Sequence, residues 1–173
     1  MTCTCGKSSN VKLSYTQSQY CKGCFLKMVL HRVKKDLRQR KVLKPRETVY
    51  LLKDGSKEWF VAKWLLEEIF EKRLKVKEVK KLPGKGKRIL PWNLEREIKE
   101  KIGPFLTGKK AKKDDKIKLP RNLLEEEIVE ACKALGYKKI KKDPEHELIG
   151  KMEKLYPGTK FGLYRALHEI SQQ

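Results

Sequence analysis

Four cysteines stand in the first 24 residues of this chain: Cys3 and Cys5 as C-x-C, then Cys21 and Cys24 in Tyr-Cys-x-x-Cys-Phe. Fifteen residues separate the pairs. A stretch that short has no core of its own, but two thiolate hooks closing on one ion supply the missing folding energy. The spacing therefore predicts that Cys3, Cys5, Cys21 and Cys24 hold one structural metal, taken as zinc, with iron left open by spacing alone. Gly6 allows a tight turn after the first hook. Residues 11–15, Val-Lys-Leu-Ser-Tyr, alternate as a short ribbon strand does.

Charge is the second constraint. Forty-three Lys and Arg face 22 acids, a formal net charge of +21 over 173 residues. Basic residues recur from Lys22 to Lys160, so the excess is not one detachable tail. A field of that sign and size attracts polyanions, nucleic acid above all. Heat-adapted ion-pair networks are the other reading of a Lys/Glu-rich surface, but they need near balance between the signs. No apolar run approaches the roughly 20 residues of a membrane helix, and no secretory leader is evident. Cysteines grouped as metal hooks suit a reducing cytoplasm. The fifth, Cys132, reads as a small buried residue, with no His beside it in sequence.

From Phe25 the apolar period becomes helical, with Phe25, Met28, Val29, Val33 and Leu37 on one face. Lys27, Arg32, Lys34, Lys35 and Arg38 lie mainly around the rest and are candidates for a phosphate backbone. Lys44-Pro45 ends that helix. Thr48 to Leu52 reads as a buried strand, followed by the glycine turn Lys53-Asp54-Gly55-Ser56-Lys57 and a helix from Glu58 to about Arg73. Strand, glycine turn and helix open an α/β nucleotide-binding unit. Leu74 to Leu82, Arg88 to Leu90 and Lys116 to Leu119 are further strand candidates. Helices are expected over 93–106, capped by Asn93, over 123–135 and ending at Gly136, from Pro144 to about Leu155, and over 160–170. Residues 107–116 form a basic loop whose Lys109, Lys110, Lys112 and Lys113 are further RNA candidates. The acidic turn Glu125-Glu126-Glu127 complements a helix dipole. His31, His146 and His168 lack ligand spacing with the cysteines.

Three stretches resemble one family, the TtuA-type tRNA 2-thiouridine synthetases and the cytoplasmic tRNA 2-thiolation proteins of archaea and eukaryotes. They are Tyr20-Cys21-Lys22-Gly23-Cys24-Phe25 with its basic helix, Trp92 to Ile98 running on to Phe105-Leu106-Thr107-Gly108, and Lys116 to Glu127 followed by Glu147-Leu148-Ile149 and Tyr156-Pro157-Gly158-Thr159-Lys160-Phe161. The resemblance implies an N-terminal cysteine module fused to a PP-loop ATPase-like domain. It also implies a defect. The family's S-G-G-K-D-S loop, whose amides and lysine hold the ATP pyrophosphate, is replaced by Lys53-Asp54-Gly55-Ser56-Lys57-Glu58. One glycine is lost, Lys57 sits one place late, and Glu58 adds a negative charge. The family's paired acids after Asn-Leu become Glu95 and Arg96. About ten residues join the second strand to Arg88, too few for the family's intervening helix, strand and active-site cysteine.

The expected architecture is α/β: a zinc-ribbon-like module over 1–26, a basic linking helix over 27–44, and a reduced PP-loop-like domain over 45–173 with a small, mostly parallel sheet flanked by helices. The expected role is a shortened, non-catalytic, tRNA-binding subunit for wobble-uridine 2-thiolation. It would work in the cytoplasm beside an intact PP-loop enzyme, without binding ATP or membrane. Two alternatives remain open from sequence. One is a generic RNA-binding or ribosome-associated zinc-ribbon protein. The other is a divergent ATP-dependent tRNA sulfurtransferase using Gly55, Ser56 and Lys57, or Gly84, Lys85, Gly86 and Lys87, as its phosphate site.

Overall fold

A computed structural model of the chain describes residues 2–71, 73–108, 115–141 and 147–170. The chain starts with a two-stranded antiparallel ribbon, β1 (Val11–Lys12) and β2 (Gln19–Tyr20). Helix α1 (Lys22–Arg40) leaves the second hook at once, with Cys21 as its N-cap and the Cys21 Sγ accepting from the Cys24 amide. Lys41 closes the helix in a left-handed conformation at φ 53°, its amide donating to the Leu37 and Arg38 carbonyls. Then follow β3 (Thr48–Leu52), α2 (Lys57–Phe70), β4 (Lys75–Val79), β5 (Lys87–Pro91), α3 (Leu94–Leu106), β6 (Ile117–Leu119), α4 (Glu125–Leu135), α5 (Glu147–Leu155) and α6 (Thr159–Ile170).

The sheet has the order β4-β3-β5-β6, and every pairing in it is parallel. Val49, Leu51, Ile89, Ile117 and Leu119 point to one face, where they join Val61, Leu65 and Leu66 of α2, Ile128 and Ala131 of α4, and Phe25, Val29, Val33 and Leu37 of α1. Val11 and Leu13 of the ribbon belong to that same core. The 26/27 division expected from sequence thus falls inside α1, and α1 is a wall of the core as much as a link. A second cluster gathers Leu94 and Ile98 of α3, Leu124, Ile149 of α5 and Leu167 of α6.

β3 has β4 on one side and β5 on the other, so the order of strands reverses there. In open α/β sheets the crevice beyond the carboxyl ends at such a reversal is where ligands bind. The segments after β3 and after β5 frame it. The link from β4 to β5 is unusual, because residues 80–86 alone return the chain across β3 where a parallel crossover ordinarily needs a dozen residues or more. Gly86 makes this strap possible. Its φ is +97°, and a Cβ there would come within 3.0 Å of the Tyr50 ring. The strap fills the place where the resemblance implied a helix, and Arg88 holds it by donating to the Pro83 carbonyl.

Candidate metal centre and the remnant of a nucleotide loop

The cysteine module brings its four thiols together as expected. The sulfurs of Cys3, Cys5, Cys21 and Cys24 all lie within 4.8 Å of one another, and Cys5 and Cys21 approach to 3.5 Å. The first hook is shaped by Gly6, at φ +82°, and by the Cys3 amide donating to the Lys7 carbonyl. The second is shaped by the N-terminus of α1. Backbone amides at Cys5 and Cys21 pull the Cys3 thiol down to about 6. The Cys24 amide pulls the Cys21 thiol down as well. Cys24, surrounded by the sulfurs of Cys5, Cys21 and Cys3, is pushed up to about 12. Sulfurs packed so closely cannot all carry charge without a cation among them. A single tetrahedral ion with metal–sulfur bonds of about 2.3 Å sets its sulfurs about 3.8 Å apart. A four-iron cluster bound at its corners by cysteines spreads them more widely, because the cluster itself lies between. The donor set therefore fits one metal ion.

At the sheet's crevice the turn after β3 is built around its own side chains. Gly55 takes φ +72° and its carbonyl accepts from the Tyr137 hydroxyl at 2.7 Å. Asp54 Oδ1 accepts from the Ser56 amide at 2.9 Å, and Ser56 Oγ caps α2 by accepting from the Trp59 amide at 3.1 Å. Two amides that a phosphate would use at a helix N-terminus are thus already taken. Lys53 is exposed and turned toward Glu78, at 3.1 Å, and the face of Trp59.

Lys57 does not reach solvent. It is 3% exposed, with its Nζ 3.2 Å from Glu58 Oε1 and 3.3 Å from Glu125 Oε1. Glu58, 0% exposed, accepts from Asn93 Nδ2 at 2.9 Å, and Arg96 stands 3.9 Å from its other oxygen. From sequence alone the Glu58 charge stands in the path of a phosphate; the structure turns it inward against Lys57. Asn93 Oδ1 meanwhile caps α3 by accepting from the Arg96 amide. Glu95 also faces protein: it accepts from the Glu125 amide at 2.9 Å and pairs with Lys160 at 3.2 Å. Burial pushes its carboxyl up, with Lys160 opposing. Cys132 lies beneath the loop, its thiol toward the Lys57 carbonyl, and burial together with the Glu58 charge pushes it up to about 12. Such a thiol stays protonated and unreactive.

Of the RNA candidates on α1, Lys27, Lys35 and Arg38 are exposed and Lys34 is half-buried. Arg32 is not free for phosphate, a correction to the sequence reading. Its guanidinium clasps Glu127 at 2.6 and 2.9 Å and also reaches the Tyr15 hydroxyl. Lys109, Lys110, Lys112 and Lys113 lie outside the described residues. Sequence reasoning missed the separate tasks of the acidic turn. Successive helical residues are splayed by about 100°, so Glu125 reaches Lys57, Glu126 accepts from Ser14 of the ribbon, and Glu127 holds Arg32 and Tyr15. Three adjacent acids in a chain with a basic helix were the only signal available. Likewise, the Tyr156–Phe161 segment is organised by Glu153, whose carboxylate accepts from the Gly158 and Lys160 amides, both at 2.7 Å. No described helix is long and apolar enough to cross a membrane.

No family model matches the chain, and no curated protein matches it in sequence. Among solved structures it is similar to the U34-tRNA thiolase NcsA from Methanococcus maripaludis with its [4Fe-4S] cluster. The TM-score is 0.79 at 18% sequence identity, covering 100% of this chain and 89% of that one. That coverage lends no support to the expected shortening. At this identity the likeness carries the fold, so what the chain shares with the thiolase is a parallel α/β sheet flanked by helices, joined here to an N-terminal cluster of four cysteines.

Proposed function

We propose that the chain is a non-catalytic, RNA-binding accessory protein of tRNA wobble-uridine 2-thiolation, acting in the cytoplasm beside an enzyme that keeps a working ATP loop. The fold likeness to a tRNA thiolase supports the pathway. The observation that carries the non-catalytic reading is Lys57. A lysine held between two carboxylates has no net positive charge to offer a triphosphate, and extracting it would strand Glu58 in the interior. The turn's Ser56 amide is already bound by Asp54, and the nearby Cys132 is a buried, protonated thiol. Zinc is the metal proposed for the four N-terminal thiolates, since a closed tetrahedral S4 set is a structural zinc site. The excess of 43 bases over 22 acids supports tRNA as the bound polyanion.

The test is reconstitution. Purified protein with tRNA, ATP and a sulfur donor yields no 2-thiouridine by nucleoside mass spectrometry. Adding an intact PP-loop thiolase yields product, faster than that enzyme alone. Product from this chain alone, abolished by Lys57→Ala, refutes the reading, and so does an unchanged rate of the added enzyme.

A further inference from the structure

A cavity of about 970 Å³ runs between α1 and α6. Its charge is one-sided. α1 contributes Lys35 and Arg40 besides Arg32, which Glu127 already holds, the segment before α4 contributes Arg121, and α6 contributes Arg165; among the described residues Asp36 is the one carboxylate in the lining. Arg40 and Arg121 both lean on Asp36, at 2.8 and 3.6 Å, and Arg121 also approaches Glu97 at 3.9 Å. The Nε atoms of both guanidiniums make no hydrogen bond among the described residues, and neither does Asn122 Oδ1 beside them. Desolvation and the neighbouring Arg121 charge push the Arg40 guanidinium down, with Asp36 opposing. Lys35 and Arg165 stand exposed at the rim with no ion pair among the described residues. Phe161 and Tyr164 form an aromatic wall that is already engaged on one side, the Arg32 guanidinium lying 5.3 Å from the Phe161 centroid and His168 stacked with Tyr164 at 6.0 Å, and Gly158 and Gly162 carry no side chain beside it.

We infer that this groove seats a single-stranded segment of RNA, its phosphates against Lys35, Arg165 and the Arg40–Arg121 pair and an unstacked base against the wall of Phe161 and Tyr164. Guanidinium and ammonium groups in excess of carboxylates along the groove call for phosphate oxygens. Aromatic faces beside a cationic channel are the usual means of holding unpaired nucleotides. The groove continues the exposed basic surface of α1, so one strand can follow both. This inference rests on the RNA-binding half of the proposed function and not on the thiolation half.

The test uses the metal-loaded full chain and a labelled decauridylate, titrated by fluorescence anisotropy at several salt concentrations. Reversing both rim residues, Lys35→Glu with Arg165→Glu, weakens binding roughly tenfold or more and lowers the salt slope by about 1.4, the value for two lost single-strand phosphate contacts. A control reversal of Lys75 and Lys77, exposed on the far edge of the sheet, changes the net charge equally and weakens binding much less. Three results would overturn the assignment. They are equal losses in the two double variants, uridine monophosphate binding as tightly as the oligonucleotide, and a decaglutamate peptide displacing the RNA at equal concentration. Loss of RNA in the rim variant with undiminished stimulation of an added thiolase keeps the groove and refutes the accessory role.

Discussion

Glu127 is the buried side chain that ties the cysteine module to the α/β core by the most hydrogen bonds among the described residues. It is fully buried, and it accepts from the Tyr15 hydroxyl at 2.7 Å, from Arg32 at 2.6 and 2.9 Å, and from the Leu124 amide at 2.9 Å. Tyr15 lies between the ribbon strands, Arg32 on α1 and Glu127 on α4, so one carboxylate ties three parts of the chain. Glu127→Gln keeps the shape and removes the charge. Breaking a buried pair from one side costs about 3–5 kcal/mol. The Arg32 side chain is 30% exposed. Water therefore recovers part of its solvation, and the expected cost is near the low end, about 3 kcal/mol. Tyr15→Phe removes one hydrogen bond to a charged acceptor, about 1.5–3 kcal/mol. The two losses overlap, because the neutral amide introduced by Glu127→Gln draws less from the phenol than the carboxylate does. The double variant therefore falls short of the sum by about 1 kcal/mol. Urea melts of the metal-loaded protein read this as lower midpoints at unchanged slope. Because Tyr15 sits on the module, both single variants also release metal to a chelator faster. A cost under about 0.5 kcal/mol for Glu127→Gln, the range of an ordinary surface change, would refute the reasoning. Unaltered metal release in both variants would refute the coupling.

Purified protein carries about one metal ion per chain, the load of a single S4 site, and removing it with a chelator unfolds the ribbon while the circular dichroism of the remaining helices persists; four-iron stoichiometry would refute the single-ion site. Lys57→Met destabilises the chain by about 3 kcal/mol because Glu58 is left buried without its cation, whereas Lys57→Met with Glu58→Gln recovers most of that loss; equal stability of wild type and the single variant would show that the pair is not buried as described. Cys132 resists alkylation in the folded, metal-loaded protein at pH 8, its thiol lying near 12, and reacts once the chain is unfolded; labelling at the rate of a free thiol would refute its burial. Burial holds the Glu95 carboxyl above its ordinary 4.5. The folded state therefore favours its protonated form, and the stability this lends is full below 4.5 and fades as pH rises through the folded value. Glu95→Gln accordingly gains on wild type as pH climbs above 4.5, and a stability difference independent of pH would refute the shift.

Much of the architecture is written in local signals. The cysteine spacing announces the thiolate cluster. The pattern of Thr48 to Leu52 announces the strand at the centre of the sheet, and Asn93, Ser56 and Gly136 stand at helix ends because a side-chain acceptor or a left-handed residue is needed there. These features are legible because they depend on period and on near neighbours in sequence. Three matters waited for the tertiary structure. Lys57 and Glu58 are adjacent in sequence, but whether they face a ligand or each other depended on Glu125 and Asn93, brought from other helices far along the chain. The fate of Arg32 rested on Glu127, distant in sequence and fully buried. The groove between α1 and α6 exists only because α6, packed on α3 and α5, comes to stand across from a helix far earlier in the chain. A sequence states which charges are present; whether each is neutralised, buried or offered to solvent is decided by residues far along the chain, since Coulomb energy at a few ångströms depends on the partner and the local dielectric and not on separation in sequence.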